Sequence, residues 1–214
     1  MKLNELHGYK QYADKDLQGI VDYLKSKGTI FANNGKYSKV IIGNNYVYKI
    51  WVDDLAYEDW LRVCRKHEGN PWVPKLIGPT RPMKLFFKHV EFNERISELK
   101  IQKMEKLEAI PDLVKSGYFA QILDELIGDD VFSNEEEFKH ALKVKLTKQT
   151  YDNDLILSKS LELYEVISDI KHMLNTNEYI NDMHLENFMM RGNQPVITDP
   201  LQTGQSGIFK LNTK

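Results

Sequence analysis

The chain has one cysteine, Cys64, among its 214 residues. A single thiol cannot close an internal disulfide, and no Cys or His residues stand at zinc-ligand spacing. A disulfide scaffold is excluded, a structural zinc is not expected, and a reducing compartment is the natural setting. Long apolar runs are also missing. No stretch is long enough to span a bilayer, and residues 1–12 lack the apolar core of a secretory leader, so a soluble cytoplasmic protein with no membrane partner is expected. Neither sign of charge dominates: 29 basic residues stand against 31 acidic ones, a formal net charge of -2. Such a balance exerts no global pull on nucleic acid, and direct nucleic-acid binding is not expected. Internal repeats and low-complexity segments are absent. What remains is 42% hydrophobic content, enough for one substantial core or for one domain of two lobes.

Periodicity then organises the chain. Leu17, Ile20, Val21 and Leu24 follow helical spacing, with Gly28 placed to cap the C-terminus. Lys39–Gly43 and Tyr46–Val52 are rich in Val, Ile and Tyr around Gly43-Asn44-Asn45, the signature of a tight hairpin. A helix capped by Asp53 or Asp54 carries Tyr57, Trp60, Leu61 and Cys64 on one face and stops at Gly69-Asn70-Pro71. Strand-like runs follow at Leu85–Phe92 and Leu99–Met104. Ser133 with Glu136 predicts a capping box ahead of Phe138, Ala141, Leu142 and Leu146. Leu155–Leu174, apolar around most of its circumference, predicts a nearly buried central helix. Asn187–Met190 and Pro195–Asp199 flank a Gly192-Asn193 turn, and the tail past Pro200 is turn-rich. The expected fold class is α+β: a small antiparallel-sheet lobe over residues 1–109 and a reduced, mainly helical lobe over residues 110–214.

The second half holds the residues suited to chemistry. Pairing of 188–190 with 196–198 brings Asn187 to Asp199, and Asp182 lies on the loop just before. Two carboxylates and an amide then converge, all hard oxygen donors suited to Mg²⁺ carrying phosphate. Any one of them alone is an ordinary turn residue; the three at this spacing match the protein-kinase pattern of a catalytic Asp, an Asn five residues on, and a metal-binding Asp after a short hairpin. The other parts of that pattern lie upstream in order. Asn33–Val40 overlays G-x-G-x-x-G-x-V, with Gly35 as the middle glycine, Tyr37 at the loop tip and Ser38 in the third glycine position; an ordinary hairpin turn has the same composition. Lys49 falls at the lysine of V-A-I-K, on a strand face where an ammonium is costly unless it meets an anion such as ATP phosphate. Glu58 on the next helix is the chosen partner of Lys49. Glu105, in Met104–Glu108, sits where a kinase chain passes between lobes and its backbone contacts adenine. His184, two residues after Asp182, is placed to brace the loop.

These residues resemble the serine/threonine protein kinases of T7-like bacteriophages. The closest stretches are Asp182-Met-His-Leu-Glu-Asn-Phe-Met-Met190, against D-M-H-x-x-N-I-M, and Pro195-Val-Ile-Thr-Asp-Pro200, against Y-I-T-D-P. Cys64–Pro74 is similar to C-R-x-x-x-G-x-P-x-I-P. The resemblance implies an early phage protein with a protein-kinase-like fold. Such a protein uses ATP and Mg²⁺ to phosphorylate Ser or Thr of host proteins, including transcription and RNA-processing machinery. In that scheme Asp182 is the catalytic base, Asn187 and Asp199 hold the metal, and Lys49 holds the α/β-phosphates. Asp199-Pro200 stands where cellular kinases have D-F-G, and no A-P-E segment follows, so control by activation-loop phosphorylation is not expected. Two other classes share parts of the pattern. Small-molecule kinases of the aminoglycoside or choline type also carry Asp-x-His-x-x-Asn, and an acidic acceptor pocket drawing on Asp124, Glu125, Asp129 or Asp130 would mark one. A non-catalytic kinase scaffold that inhibits a host enzyme is the other.

Overall fold

The computed structural model describes residues 38–42, 45–52, 54–88, 96–111, 113–128, 132–146 and 153–203. The helix expected around Leu17–Leu24, and Gly35 and Tyr37 of the expected phosphate loop, lie outside these residues. The chain divides into two compact units: Met1–Asp54 with Lys75–Lys106, and Leu55–Pro74 with Leu107–Lys214. Mixed helix and small antiparallel sheets make up the described architecture. No helix among the described residues is long and apolar enough to cross a membrane.

Among its described residues the first unit holds a four-stranded antiparallel sheet in the order β1-β2-β4-β3, with β1 at Ser38–Ile42, β2 at Tyr46–Val52, β3 at Leu76–Lys88 and β4 at Ile96–Glu105. The expected hairpin is present, with Val40 opposite Lys49. Strand β3 begins nine residues before the expected Leu85. Gly78-Pro79 and Pro82 read as breakers, but β3 is an edge strand and its register shifts between Ile77 and Arg81, so the proline positions need no ladder donor. Gln102, fully buried, stitches this irregularity: its Nε2 donates to the carbonyls of Gly78 and Lys103, and its Oε1 accepts from Thr80 Oγ1.

The second unit contains α1 at Leu55–Lys66, α2 at Leu113–Gly128, α3 at Glu135–Lys145, α4 at Asn153–Ser158 and α5 at Ser160–Thr176. Two hairpin-like pairs complete it: β5 at Tyr179–Asn181 with β8 at Leu201–Thr203, and β6 at Phe188–Arg191 with β7 at Gln194–Ile197. Contacts group α1 with β8 and α5, whereas its place in the sequence counts it with the first lobe. Helix α2 is not among the expected elements, although Phe119, Leu123, Leu126 and Ile127 are all buried at helical spacing. The capping box sits one residue later than expected. Asn134 Oδ1 accepts from the Glu137 N–H, and Glu137 Oε2 accepts from the N–H of Ser133, the residue before the cap. The expected single helix 155–174 is two, broken at Lys159. Ser158 Oγ donates to the Leu155 carbonyl, a local bond that competes with helix continuation. Helix α5 buries one face, Leu163, Val166, Ile167, Ile170 and Met173, while Leu161 stays exposed; it is amphipathic rather than buried all round. The tail past Pro200 opens with strand β8, and residues 204–214, where turns are expected, lie outside the described residues.

Segment Asn70–Pro74 holds this unit together. Gly69 adopts φ 91°, a left-handed conformation open to glycine, and ends α1. Asn70 then accepts from the Trp72 N–H and donates to the Glu162 carbonyl. The fully buried Trp72 stacks on Phe119 at 5.8 Å, and its Nε1–H donates to the Lys159 carbonyl at 3.0 Å. Phe119 in turn meets Phe188 edge-on at 5.8 Å. The Trp72 carbonyl accepts from the Ile197 N–H at 2.8 Å, and Arg191 donates to the carbonyls of Pro71 and Val73. The β6–β7 hairpin is thus fixed to a rigid plug.

An ion-pair cluster ties the end of α1 to α5. Lys66 Nζ is 2.7 Å from both Asp169 carboxylate oxygens, His67 Nε2 is 2.7 Å from Oδ2, and Glu165 stands 3.7 Å from His67 Nδ1. Burial pushes the Asp169 carboxyl up, but the hydrogen bonds and charges of Lys66 and His67 outweigh it and hold the group below its ordinary value of 3.8. A depressed carboxyl contributes stability above its unfolded pKa and loses it as pH falls through the folded value. Asp169→Asn is therefore expected to cost about 1 kcal/mol near neutrality, the partial exposure of the pair limiting its worth. In urea unfolding at a series of pH values, the gap from wild type should close below about pH 4; a gap that persists at pH 2 would contradict this.

Candidate functional site

The catalytic-type residues gather where the loop after β5 meets the strand leaving β7. In β6–β7, Phe188 pairs with Ile197 and Gly192 turns at φ 60°. Beyond the pairing, the Thr198 N–H donates to the Asn187 carbonyl at 2.8 Å, and the Asp182 N–H donates to the Pro200 carbonyl at 2.9 Å. Asp199 lies between these two stitches, held next to Asn187 on one side and Asp182 on the other. Asp182, Asn187 and Asp199 all lie in the second unit, and these two backbone bonds flank Asp199. Asn187 closes a single 3-10 turn, Leu185–Asn187, rather than opening the strand.

Hydrogen-bond logic settles which atoms are spent. Asn187 Nδ2 lies 2.7 Å from the Asp182 carbonyl and 3.0 Å from Asp182 Oδ2. Both partners are acceptors, so the amide must present its NH₂ end to Asp182 and turn Oδ1 away. His184 Nδ1 accepts from the Glu186 N–H at 3.2 Å, which leaves the neutral ring its proton on Nε2, facing Asp182 Oδ1 at 3.3 Å. The Asn187 Nδ2 to His184 Nε2 approach of 3.2 Å is then a meeting of two donors and not a bond. Asp182 thus has one carboxylate oxygen against the imidazole and one against the amide, yet keeps 30% side-chain exposure, open to a reacting group. The bracing role expected of His184 is present.

Upstream, Asn181 also faces two ways. Its Nδ2 donates to Asp124 Oδ1 on α2 at 2.6 Å, and its Oδ1 accepts from the Met183 N–H at 3.3 Å. The Asn side chain bonded two residues on is a turn signal legible in sequence; its bond to α2 spans 57 residues and leaves no local trace. Of the acidic acceptor candidates, Asp124 is engaged here and Glu125 pairs with Lys145 at 3.0 Å. Asp129 and Asp130 lie outside the described residues.

In the first unit, Lys49 is 8% exposed, opposite Val40 on one side and Gln102 on the other. Opposed residues share a face, so Val47 and its partner Met104 lie on the Lys49 face too. Ser38 opens β1 opposite Trp51. The Glu105 N–H donates to the Lys75 carbonyl and its carboxylate accepts from the Lys75 N–H, so its amide is taken and only its carbonyl fits the adenine role expected of it. Glu58 is half-buried on α1, in the second unit. Its neighbour Asp59 takes the Tyr179 hydroxyl at 2.7 Å and pairs with Arg62.

Among the described residues no group of three or more His, Cys, Asp or Glu side chains gathers as a metal cage. Magnesium does not need one: it is commonly held by one or two carboxylates with phosphate and water completing the octahedron. The donor set here, one amide oxygen turned outward beside two carboxylates, fits that ion carried by a nucleotide.

No protein-family model matches this sequence, and no curated protein is significantly similar to it. Among solved structures, the choline kinase LicA from Streptococcus pneumoniae is similar at 13% identity over 87% of this chain and 70% of that one, with a TM-score of 0.29. A likeness that slight has no bearing on the site.

The donor role of Asn187 is open to direct measurement. Asn187→Ala removes two bonds to Asp182 and is expected to lower stability by about 1–2 kcal/mol. Asn187→Asp adds a repelling carboxylate against two acceptors and should cost more, with the excess fading as acid protonates the pair. Urea unfolding of both variants at pH 7 and pH 4 checks this; equal losses at pH 7 would contradict the assignment.

Proposed function

We propose that this chain is an ATP- and Mg²⁺-dependent protein kinase that phosphorylates Ser or Thr of host proteins, as the T7-like phage kinases it resembles do. The observation that carries the phosphotransferase reading is the double stitch that sets Asp199 between Asn187 and Asp182, with Asn187 Oδ1 turned away from Asp182. Protein rather than small-molecule acceptors, a phage setting and host targets in transcription or RNA processing follow from the motif resemblance.

In this scheme Asn187 Oδ1 and the Asp199 carboxylate would hold Mg²⁺, which when bound would supply charge neutralisation at the phosphates. The motif resemblance gives Lys49 the α/β-phosphates and Gly35, Tyr37 and Ser38 the phosphate loop; within the first unit, Val40, Val47 and Met104 share the Lys49 face. The motif resemblance assigns Glu58 as the partner of Lys49. The exposed face of Asp182 orients the acceptor hydroxyl and takes its proton as that oxygen bonds to the γ-phosphorus and the β–γ bridging oxygen leaves with ADP. His184 and Asn187 keep that carboxylate aimed. Positioning and fixed charge supply most of the rate.

Incubation with γ-labelled ATP and a bacterial lysate tests the proposal. Labelled protein bands are expected with wild type. Asp182→Asn should lower turnover by about 100-fold or more, and Lys49→Ala should abolish the bands. Label confined to small solutes would point instead to a small-molecule kinase. Absence of any Mg²⁺-dependent turnover would leave the non-catalytic scaffold.

A further inference from the structure

We infer that Asp124 on α2 is a positioning residue for the catalytic loop, acting through Asn181; the inference rests on the phosphotransferase reading. Asn181 stands immediately before Asp182 and is bonded on both sides. One end of its amide is anchored to the Asp124 carboxylate at 2.6 Å, and the other takes the Met183 N–H, the first backbone donor after Asp182. The partners fix the orientation of the amide, since a carboxylate only accepts and an N–H only donates. Met183 is itself buried at 5% exposure, so the loop is pinned by packing one residue beyond Asp182 and by the Asn181 bridge one residue before it. Helix α2 is rigidly seated by Phe119 against Trp72 and Phe188. Asp124 therefore ties the peptide units on either side of Asp182 to the same helix that supports the β6 strand. Asp182, Asn187 and Asp199 inherit one frame of reference, the condition for holding reacting atoms within the fraction of an ångström that transfer requires.

What Asp124 supplies in this account is an acceptor atom, not a charge, and that separates it from a carboxylate that recognises substrate. Asp124→Asn keeps an oxygen for Asn181 Nδ2, whereas Asp124→Ala removes it. Asn181→Asp sets two carboxylates against each other. In the double variant Asn181→Asp with Asp124→Asn, the donor and acceptor are exchanged and the bond re-forms.

The experiment measures phosphotransfer and amide hydrogen exchange on the full chain, with Lys49→Ala as the inactive control. Asp124→Ala and Asn181→Asp are expected to lower kcat by about 10- to 100-fold with KM for ATP little changed, a loss of positioning rather than of binding. Both should speed exchange at amides 182–187. Asp124→Asn should stay near wild type in both readouts, and the double variant should regain most of what Asn181→Asp loses. Equal damage from Asp124→Asn and Asp124→Ala, or no recovery in the double variant, would overturn the inference. So would unchanged kcat in an active wild-type background. If wild type shows no more transfer than Lys49→Ala, the phosphotransferase reading fails, and the exchange rates alone decide whether the bridge holds the loop. A variant that fails to fold leaves the exchanged pair to decide: recovery of folding there supports the bridge, and continued failure contradicts it.

Discussion

Two backbone hydrogen bonds set the geometry on which everything else in the second unit depends. The Thr198 N–H holds the Asn187 carbonyl and the Asp182 N–H holds the Pro200 carbonyl, so three residues far from contiguous in sequence share one small neighbourhood. Side chains alone could not produce this. A carboxylate beside a carboxylate repels; the backbone bonds hold the chain here, and the Asn187 amide donates to Asp182. The site depends on hairpin register: slip β6 against β7 by one residue and the Thr198 N–H no longer meets the Asn187 carbonyl.

That register is protected from a distance. Trp72 fills the core beneath the hairpin and gives its carbonyl to Ile197, while Arg191 grips the carbonyls on either side of Trp72. The segment that contributes Trp72 follows α1, more than a hundred residues upstream of the loop it supports. The Cys64–Pro74 run therefore has a structural role. Its glycine ends a helix, its asparagine turns the chain, and its tryptophan anchors the hairpin. Loops that carry chemistry are precise when a rigid scaffold holds them, and here the scaffold is an aromatic stack rather than a metal or a disulfide.

Much of this is legible in the sequence, and the misses have physical causes. The β1–β2 hairpin and the β6–β7 hairpin announce themselves through alternation around Gly-Asn turns, and the convergence of Asp182, Asn187 and Asp199 follows from pairing the latter two strands. Strand β3 is longer than expected because prolines read as breakers without knowledge that the strand lies at a sheet edge. Strand β8 escapes notice because three residues are too few to show a period; only pairing with β5 makes them a strand. Helix α2 has a clear apolar stripe, and its absence from the expected elements has no physical excuse. Glu105 suits the adenine role by position, but its amide is taken by Lys75, a partner 30 residues away. The Asp124–Asn181 bond likewise depends on tertiary contact that no local pattern encodes.

In the proposed function Asn187 and Asp199 share a metal ion brought by a nucleotide. Paramagnetic broadening tests it most directly: Mn²⁺ with ATP is titrated into isotope-labelled protein and the amide resonances are followed. The account predicts selective loss of the signals of Asn187, Thr198 and Asp199 at low Mn²⁺, abolished in Asp199→Asn and absent without ATP. Uniform broadening, or the same selective loss in Asp199→Asn, would contradict it.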